Sequence, residues 1–313
     1  MTINSPAAPP RLKVLAAFAA IYLIWGSTYL AIRFAIDTIP PFLMAGWRFL
    51  IAGGLLYGWL RIRGVPPPQR IHWRSGVIIG GLMLLGGNGG VTWAEQHVPS
   101  GLAALLIATV PLWMVLLEWV RPSGRRPALA VLIGVAVGLA GVVLLIDPAN
   151  LGGSRVDPLG AGVLVLAALS WSIGSLYSRE APLPEPQMMS TALEMLGGGA
   201  LLVLLGTASG EWARLDLAGI STRSALAMAY LVVFGSLIGF SAYIWLLKVS
   251  TPARASTYAY VNPVVAVLLG WLLGGEPISG LMLLAAAIII GAVVLITAYR
   301  TRPIPAVSPG SAD

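Results

Sequence analysis

The sequence predicts an all-α polytopic membrane protein whose ten transmembrane helices form two five-helix repeats of opposite orientation. Three observations carry this prediction: an apolar composition, ten apolar segments of membrane-spanning length, and a motif that occurs twice. Hydrophobic residues make up 58% of the 313 residues and charged residues only 10%, and the mean hydropathy is +0.87. A soluble domain would carry about a quarter charged residues. The composition therefore predicts that most of the chain lies in a lipid bilayer.

Ten apolar segments are long enough to cross the hydrocarbon core, which takes about 20 residues of helix. They cover residues 14–36, 41–60, 75–97, 99–120, 128–146, 158–178, 187–206, 224–247, 255–273 and 279–299. Residues 1–13 are predicted to be a disordered cytoplasmic N-terminus, and residues 300–313 a cytoplasmic tail. The apolar run that begins at residue 14 is too long and too aromatic for a cleaved signal peptide.

Basic residues indicate the orientation of these segments. They lie before segment one and after every even-numbered segment, at Arg11, Lys13, Arg61, Arg63, Arg70, Arg74, Arg121, Arg125, Arg126, Arg179, Lys248, Arg254, Arg300 and Arg302. The opposite loops hold only Arg155, Arg214 and Arg223. The positive-inside rule then places both termini in the cytoplasm. The net charge of +7 is thus an orientation signal, and no soluble segment is long enough to form a basic face for nucleic acid.

The repeated motif lies in residues 95–120 and 248–273. At one constant offset Ala103, Pro111, Val115, Leu117 and Trp119 match Ala255, Pro263, Val267, Leu269 and Trp271. The other four segment pairs also match in order. Because each half has five segments, the second half enters the membrane from the opposite side. We therefore predict inverted repeats over residues 14–146 and 158–299, the architecture of secondary transporters.

Two prolines lie near the membrane midplane on opposite halves of the repeat. Pro111 is about 16 Å into its segment at 1.5 Å per residue, and Pro263 lies at a similar depth from the other side. Neither can donate a hydrogen bond to the carbonyl four residues earlier, at Ile107 and Ala259. A kink satisfied by neighbouring groups is one interpretation. The paired occurrence favours the other, in which each helix is half broken and its free carbonyls face a transport path.

Aromatic, hydroxyl and amide side chains recur on the segments that we assign to this path. The candidate solute-binding residues are Trp25, Tyr29, Asn88, Thr109, Trp171, Ser175, Ser241, Tyr258 and Asn262. A cavity of this chemistry suits small amphipathic organic solutes. It suits a metal ion poorly because clustered carboxylates are missing, and the chain has no cysteine for a thiolate site. We expect no metal and no cofactor.

Two charged residues lie well inside the predicted segments. Arg48 is about 10 Å from the outer boundary, and Glu194 is about 10 Å from the inner one. An unpaired charge at a helix centre costs at least about 2.5 kcal/mol. We expect Arg48 to extend outward toward Glu95, above the solute layer, and to be structural as readily as functional. Glu194 is the better candidate for a proton-coupled group.

Four short motifs resemble those of a known family. They are Trp25-Gly26-Ser27-Thr28-Tyr29, Trp47-Arg48-Phe49-Leu50, Val261-Asn262-Pro263-Val264 and Gly274-Gly275-Glu276-Pro277. With them the chain resembles, over nearly its whole length, the ten-helix EamA branch of the drug/metabolite transporter superfamily. The resemblance implies export of amino acids, including aromatic ones, or of other metabolites or toxic compounds across the bacterial inner membrane. It also implies a central cavity among segments one, three, four, six, eight and nine.

Several alternatives remain open at this stage. An exporter of drugs or other toxic organic compounds is the nearest one, and a channel is another. An intramembrane enzyme is less well supported, because the only histidines are His72 and His97 and there is no HExxH motif. The expected partners are a small-molecule solute and the lipid bilayer. Neither the exact solute, the direction of transport, the coupling ion nor the oligomeric state follows from the sequence.

Overall fold

The computed structural model describes residues 11–120, 128–146, 157–250 and 258–300. In these ranges the chain forms helices and short connections, without strands. In chain order the principal helices are α1 (Arg11–Ala35), α2 (Pro41–Ile62), α3 (Arg70–Ala94), α4 (Ser100–Val120), α5 (Leu129–Ile146), α6 (Pro158–Tyr177), α7 (Gln187–Ala208), α8 (Thr222–Val249), α9 (Tyr258–Gly274) and α10 (Gly280–Arg300). Within the described residues, seven of these are long and apolar enough to cross a membrane, and α5, α9 and α10 contain shorter apolar stretches. The predicted all-helical membrane fold is confirmed at this level.

The helices pack in a defined pattern around α1 and α6. Helix α1 packs against α8 and α9, while α6 packs against α3 and α4. Helix α4 also packs against α9, so these five contacts enclose the centre of the molecule. Helices α2 and α7 pack together, as do α5 and α10. The outward faces carry exposed apolar side chains such as Leu55, Leu204 and Leu272, each about 60% exposed, as expected for surfaces that contact lipid.

Helices α3 and α8 both change their winding near the middle. Each contains a π-helical segment, Gly81–Gly89 in α3 and Leu231–Phe240 in α8, between α-helical ends. Such long π-helical segments are rare, and single-turn ones are frequently found at functional sites. The sequence did not predict this change of winding. Glycine destabilises a regular α-helix, which is consistent with the altered winding where several glycines follow one another.

The two midplane prolines have different effects on their helices. Helix α4 is interrupted just before Pro111, where the segments Ser100–Ile107 and Val110–Val120 are separated by a turn. Helix α9 instead continues through Pro263, which differs from the expected second break. The helix next to Pro263 is tied to α1 by the side chain of Asn262, as described below.

Two glutamates cap α2 and α4, which both begin at the predicted outer side. The carboxylate of Glu276 accepts hydrogen bonds from the backbone N–H groups of Ser100 at 2.8 Å and Gly101 at 3.1 Å. Glu211 accepts in the same way from the N–H groups of Phe42 and Leu43. An acceptor with negative charge satisfies the free donors of a helix N-terminus and complements its dipole. The glutamate of the Gly-Gly-Glu-Pro motif therefore positions α4.

Candidate functional site

A central cavity of about 70 Å³ lies between α1, α2, α3, α4, α6, α8 and α9. The predicted path comprised six of these helices, and the structure adds α2. Six of the nine predicted solute-binding residues line the cavity: Trp25, Tyr29, Asn88, Trp171, Tyr258 and Asn262. Their side chains give the cavity aromatic walls with a small number of polar atoms. This is the composition found in sites for small organic molecules.

The other three predicted residues lie outside the cavity lining, and their hydroxyl groups have other surroundings. Thr109 donates to the carbonyl of Leu106 at 2.7 Å, inside the interruption of α4. Ser175 donates to the carbonyl of Trp171 at 2.8 Å. Ser241 is half-buried and its hydroxyl has no hydrogen-bond partner among the described residues. Serine and threonine hydroxyls commonly bond to a carbonyl of the preceding turn, so for Thr109 and Ser175 a local bond replaces a bond to a solute.

Four aromatic side chains form a cluster at the end of the cavity that faces the predicted inner side. This aromatic cluster consists of Trp25, Trp171, Tyr243 and Tyr258, whose ring centroids lie 5.0–5.6 Å apart in the contacting pairs. Three of the contacts are edge-to-face, a favoured geometry for aromatic rings. Tyr243 is fully buried and binds Trp171 Nε1 at 3.3 Å. The cluster joins α1, α6, α8 and α9 through side chains from all four helices.

Glycines make room for the two tryptophans of this cluster. A Cβ atom on Gly239 would lie 2.4 Å from Trp25 Nε1, and one on Gly87 would lie 2.9 Å from Trp171 Cε3. Trp25 Nε1 also donates to the carbonyl of Gly235 at 3.2 Å. Both glycine positions belong to the π-helical segments of α3 and α8. These segments thus shape the cavity wall.

Arg48 lies in the wall of the central cavity, not above the solute layer as expected. It is 3% exposed, and its Nε donates to the hydroxyl of Ser236 on α8 at 2.8 Å. Its guanidinium group stacks on Phe49 at 4.7 Å from the ring centroid. The terminal nitrogen Nη1 has no hydrogen-bond partner among the described residues, which also contain no ion pair between Arg48 and Glu95. The cavity wall therefore contains a buried cationic donor.

The two asparagines of the cavity differ in how their amides are engaged. Asn88 Oδ1 is buried and has no partner among the described residues. The amide of Asn262 faces three backbone carbonyls, so its nitrogen is assigned as the donor to Tyr22 O at 3.1 Å and to Ile21 O and Tyr258 O at 3.2 Å. Asn262 thus ties α9 to α1. Asn88 retains a free acceptor at the cavity.

Glu194 lies away from the central cavity and from Arg48. It lines a second cavity of about 360 Å³ at the predicted inner side, which we call the inner cavity. The other lining residues are Ser178, Arg179, Leu183, Gln187, Ile244, Leu247 and Lys248. No group of three acidic or histidine side chains that could hold a metal ion occurs within the described ranges.

The nine candidate solute-binding residues leave out several residues of the site. Phe49 and Phe240 line the central cavity, and Tyr243 completes the aromatic cluster. Phe49 follows Arg48 in one of the motifs quoted above, and Tyr243 is an aromatic residue of segment eight. Phe240 carries no comparable sequence signal, because apolar aromatic residues also occur on lipid-facing surfaces.

The comparison with protein families decides the class of this fold and site. A model described as the EamA-like transporter family matches the chain twice, over residues 12–147 and 158–298. The chain belongs to the EamA-like transporter family. This makes it a multi-pass membrane protein of a transporter family, as its apolar helices also indicate.

Individual relatives of this EamA-like chain agree with that assignment. It is 43% identical over 302 residues to the "Uncharacterized inner membrane transporter YedA" of Escherichia coli (strain K12), covering 95% of both chains. It is 25% identical over 290 residues to the "Probable amino-acid metabolite efflux pump" of Salmonella typhimurium, covering 90% of this chain and 94% of that protein. A solved crystal structure matches with a TM-score of 0.63 and 26% identity, covering 94% of this chain and 99% of the other.

Proposed function

We propose that this protein is a secondary transporter of the bacterial inner membrane that exports small neutral amino acids or similar amphipathic carboxylates by alternating access. The central cavity is the proposed binding site, with Trp25, Tyr29, Asn88, Trp171, Tyr258 and Asn262 in its wall. Membership of the EamA-like family supports transport. The names of the relatives support a location in the inner membrane, an amino-acid-like solute and transport out of the cell.

The single observation that carries the solute class is the pair of unsatisfied polar atoms in the central cavity. Arg48 Nη1 is a cationic donor without a partner, and Asn88 Oδ1 is an acceptor without a partner. A carboxylate matches the first atom and an ammonium group matches the second. The tryptophan and tyrosine rings supply apolar surface for the side chain, and can also attract a cation. A cationic drug would leave the guanidinium group unsatisfied and would add a second positive charge.

The cavity volume supports alternating access. At about 70 Å³ the central cavity is far smaller than the roughly 300–1,000 Å³ of typical ligand pockets. An amino acid can therefore bind only after the surrounding helices have moved apart. In the proposed orientation the aromatic cluster lies between the central cavity and the cytoplasm, and we assign it as the inner closure of the site. Rocking of one group of helices against the other is how many secondary transporters open such a site to either side.

We also propose that α1–α5 and α6–α10 are two inverted repeats over residues 14–146 and 158–299, with both termini in the cytoplasm. Three observations support this arrangement. The family model matches each half separately. The contacts of α1 with α8 and α9 correspond to those of α6 with α3 and α4 when each helix is exchanged for its counterpart five positions away. The π-helical segments occur in α3 and α8, which are also counterparts.

Transport by purified protein in liposomes tests the proposed solute class. The probes are the neutral L-amino acids, with phenethylamine and 3-phenylpropionate as analogues of L-phenylalanine that lack one charged group. We expect saturable transport of amino acids and no comparable transport of the amine. Transport of the amine alone would favour the exporter of toxic organic compounds. Failure of every amino acid and carboxylate to move would disprove the proposal.

Arg48 is the residue that should determine the preference for solutes with a carboxylate group. In Arg48→Met we expect transport of the carboxylate-bearing solute to fall about ten-fold or more, because a hydrogen bond to a charged group contributes about 1.5–3 kcal/mol. Arg61→Met is the matched control, since Arg61 is exposed at the inner end of the same helix. Native amino-acid transport by well-folded Arg48→Met would show that Arg48 does not bind the solute carboxylate.

A further inference from the structure

We propose that Glu194 binds the coupling proton of this transporter and exchanges it with the cytoplasm through the inner cavity. The proposal deepens the proposed secondary transport and uses its orientation, with Arg179 and Lys248 on the cytoplasmic side. It assigns a function to a cavity and a carboxyl group that the solute-binding site does not use.

The first observation is the isolation of the carboxyl group. Glu194 is fully buried in α7, and neither of its carboxylate oxygens has a hydrogen-bond partner among the described residues. Burying an unpaired carboxylate among apolar groups is unfavourable, and binding a proton removes the charge. Ionisable residues retained inside membrane helices commonly belong to ion pathways or proton relays. Glu194 has the surroundings of such a group.

The second observation is a route to water. The inner cavity of about 360 Å³ has Glu194 in its buried part and the exposed residues Arg179 and Lys248 in its outer part. The volume is sufficient for several water molecules, and the polar lining residues Ser178, Gln187, Arg179 and Lys248 offer them hydrogen-bond partners. A proton can therefore pass between the cytoplasm and Glu194 along hydrogen-bonded water. The central cavity has no part in this route, because Glu194 does not line it.

The charged groups around Glu194 favour a proton over a larger cation. The side chains that face it with charge are Lys248 from α8 and Arg179 from the connection after α6. From α2 and α3, Gly53, Gly76 and Gly80 pack against α7 next to Glu194, and glycine has no titratable side chain. Two positive side chains near the entrance repel a free metal cation. A single carboxyl group also supplies too few oxygen ligands to replace the hydration shell of such a cation.

The inner cavity also lies next to the aromatic cluster of the central cavity. On α6 the order from the central cavity inward is Trp171, Ser175 and then Ser178, which lines the inner cavity. On α8 Tyr243 lies directly before Ile244, which lines the inner cavity. Gln187 of α7 donates to the carbonyl of Ile244 at 2.8 Å. Gain or loss of charge at Glu194 therefore affects α6 and α8, the helices that carry Trp171 and Tyr243 of the aromatic cluster.

Cysteine labelling tests the route without any transported solute. The chain has no cysteine, so single substitutions can be labelled in membrane vesicles of either orientation with a small charged thiol reagent. Arg179→Cys reports the side on which the cavity opens, which we expect to be the cytoplasm. Glu194→Cys should react from that same side at least about ten-fold faster than Leu193→Cys, because thiolate formation requires access to water. Leu193 is equally buried but packs against α3.

Infrared spectroscopy of the purified protein tests proton binding itself. An alkaline titration of the native protein should remove the band of a protonated carboxyl group, and this change should be missing in Glu194→Gln. Glu185→Gln, at an exposed position on the same side, should retain it. The proposal is overturned if Glu194→Gln shows the complete native change, or if Glu194→Cys reacts from neither side or equally from both. Neither experiment depends on the solute, so a failure here is distinct from a failure of the proposed transport.

Discussion

The hydroxyl groups of Ser175 and Tyr243 lie 3.0 Å apart and join α6 to α8 between the two cavities. Trp171 Nε1 lies 3.3 Å from the same tyrosine oxygen. Because Tyr243 is fully buried, this small network has no competing water from bulk solvent. The aromatic cluster therefore combines ring packing with directional hydrogen bonds between α6 and α8, and separation of these two helices must break those bonds.

A double-mutant cycle on Ser175→Ala and Tyr243→Phe tests this network. Each single substitution should lower the free energy of unfolding in detergent by about 0.5–1.5 kcal/mol, the usual contribution of one hydrogen bond. The double variant should lose less than the sum, because both substitutions remove the same bond. Thermal unfolding at constant detergent concentration measures the effect. Strictly additive losses would show that the two hydroxyl groups do not interact.

Substitutions in the cavity wall should reduce transport more than substitutions at the periphery. We expect Trp171→Ala and Asn262→Ala to weaken transport by folded protein at least several-fold, since one lost hydrogen bond contributes about 1 kcal/mol. Ile289 on α10 is an unsuitable control, because it is fully buried against Gly141 and Ile289→Ala would leave a cavity. Leu284→Ala, at a position 54% exposed on the same helix, should leave transport near normal. A larger effect of Leu284→Ala would refute the assigned path.

Cysteine labelling from either side of the membrane tests the orientation of the repeats. Cysteines introduced at Ser123 and Ser154, which both lie outside the described residues, should react from opposite sides. The positive-inside rule places the Ser123 loop, with Arg121, Arg125 and Arg126, in the cytoplasm. Vesicles of known orientation and a membrane-impermeant reagent provide the measurement. Reaction of both cysteines from the same side would disprove the inverted arrangement.

The sequence indicates which helices surround the cavity more reliably than which atoms face it. Trp25, Asn88 and Trp171 could be predicted, because large aromatic and amide groups deep in an apolar helix need a protein partner or a cavity. The hydroxyls of Thr109 and Ser175 could not be placed in this way. Such groups also bond to the helix that carries them, and a sequence does not distinguish the two uses.

Arg48 shows why depth along a helix is an incomplete guide. Counting 1.5 Å per residue gives the height of the backbone, whereas a long arginine side chain extends several ångströms from it. Its hydrogen-bond partner is Ser236, almost two hundred residues later, which segment-by-segment reasoning does not pair with it. The π-helical winding of α3 and α8 also lacks a specific sequence signal. In both cases tertiary packing between the two halves decides the outcome.

Removing the cap on α4 should destabilise the protein without touching the cavity. Glu276→Ala leaves the N–H groups of Ser100 and Gly101 without their acceptor, and loss of a helix cap costs about 0.5–2 kcal/mol. Glu276→Gln retains an acceptor oxygen but loses the charge, so its effect should be smaller. Thermal unfolding of both variants measures the difference. Equal stability of Glu276→Ala and the native protein would show that the cap contributes nothing.

A single methyl group at Gly239 should disturb the solute-binding site. Its Cβ atom would lie 2.4 Å from Trp25 Nε1 and 2.8 Å from Trp25 Cδ1, and Trp25 is held by three other rings of the aromatic cluster. The indole must therefore shift, at a cost of about 1–3 kcal/mol for overpacking.

Because the indole lines the central cavity, we expect Gly239→Ala to lower solute affinity several-fold in protein that still folds. Gly162→Ala on α6 is the matched control, since a Cβ atom there has no neighbour within 4 Å. It should leave both transport and stability unchanged or slightly improve stability, because alanine favours helix over glycine by up to about 1 kcal/mol. Concentration-dependent transport by both variants, with folded yield measured in parallel, provides the comparison. Native affinity in Gly239→Ala would mean that the position of the Trp25 ring does not determine solute binding.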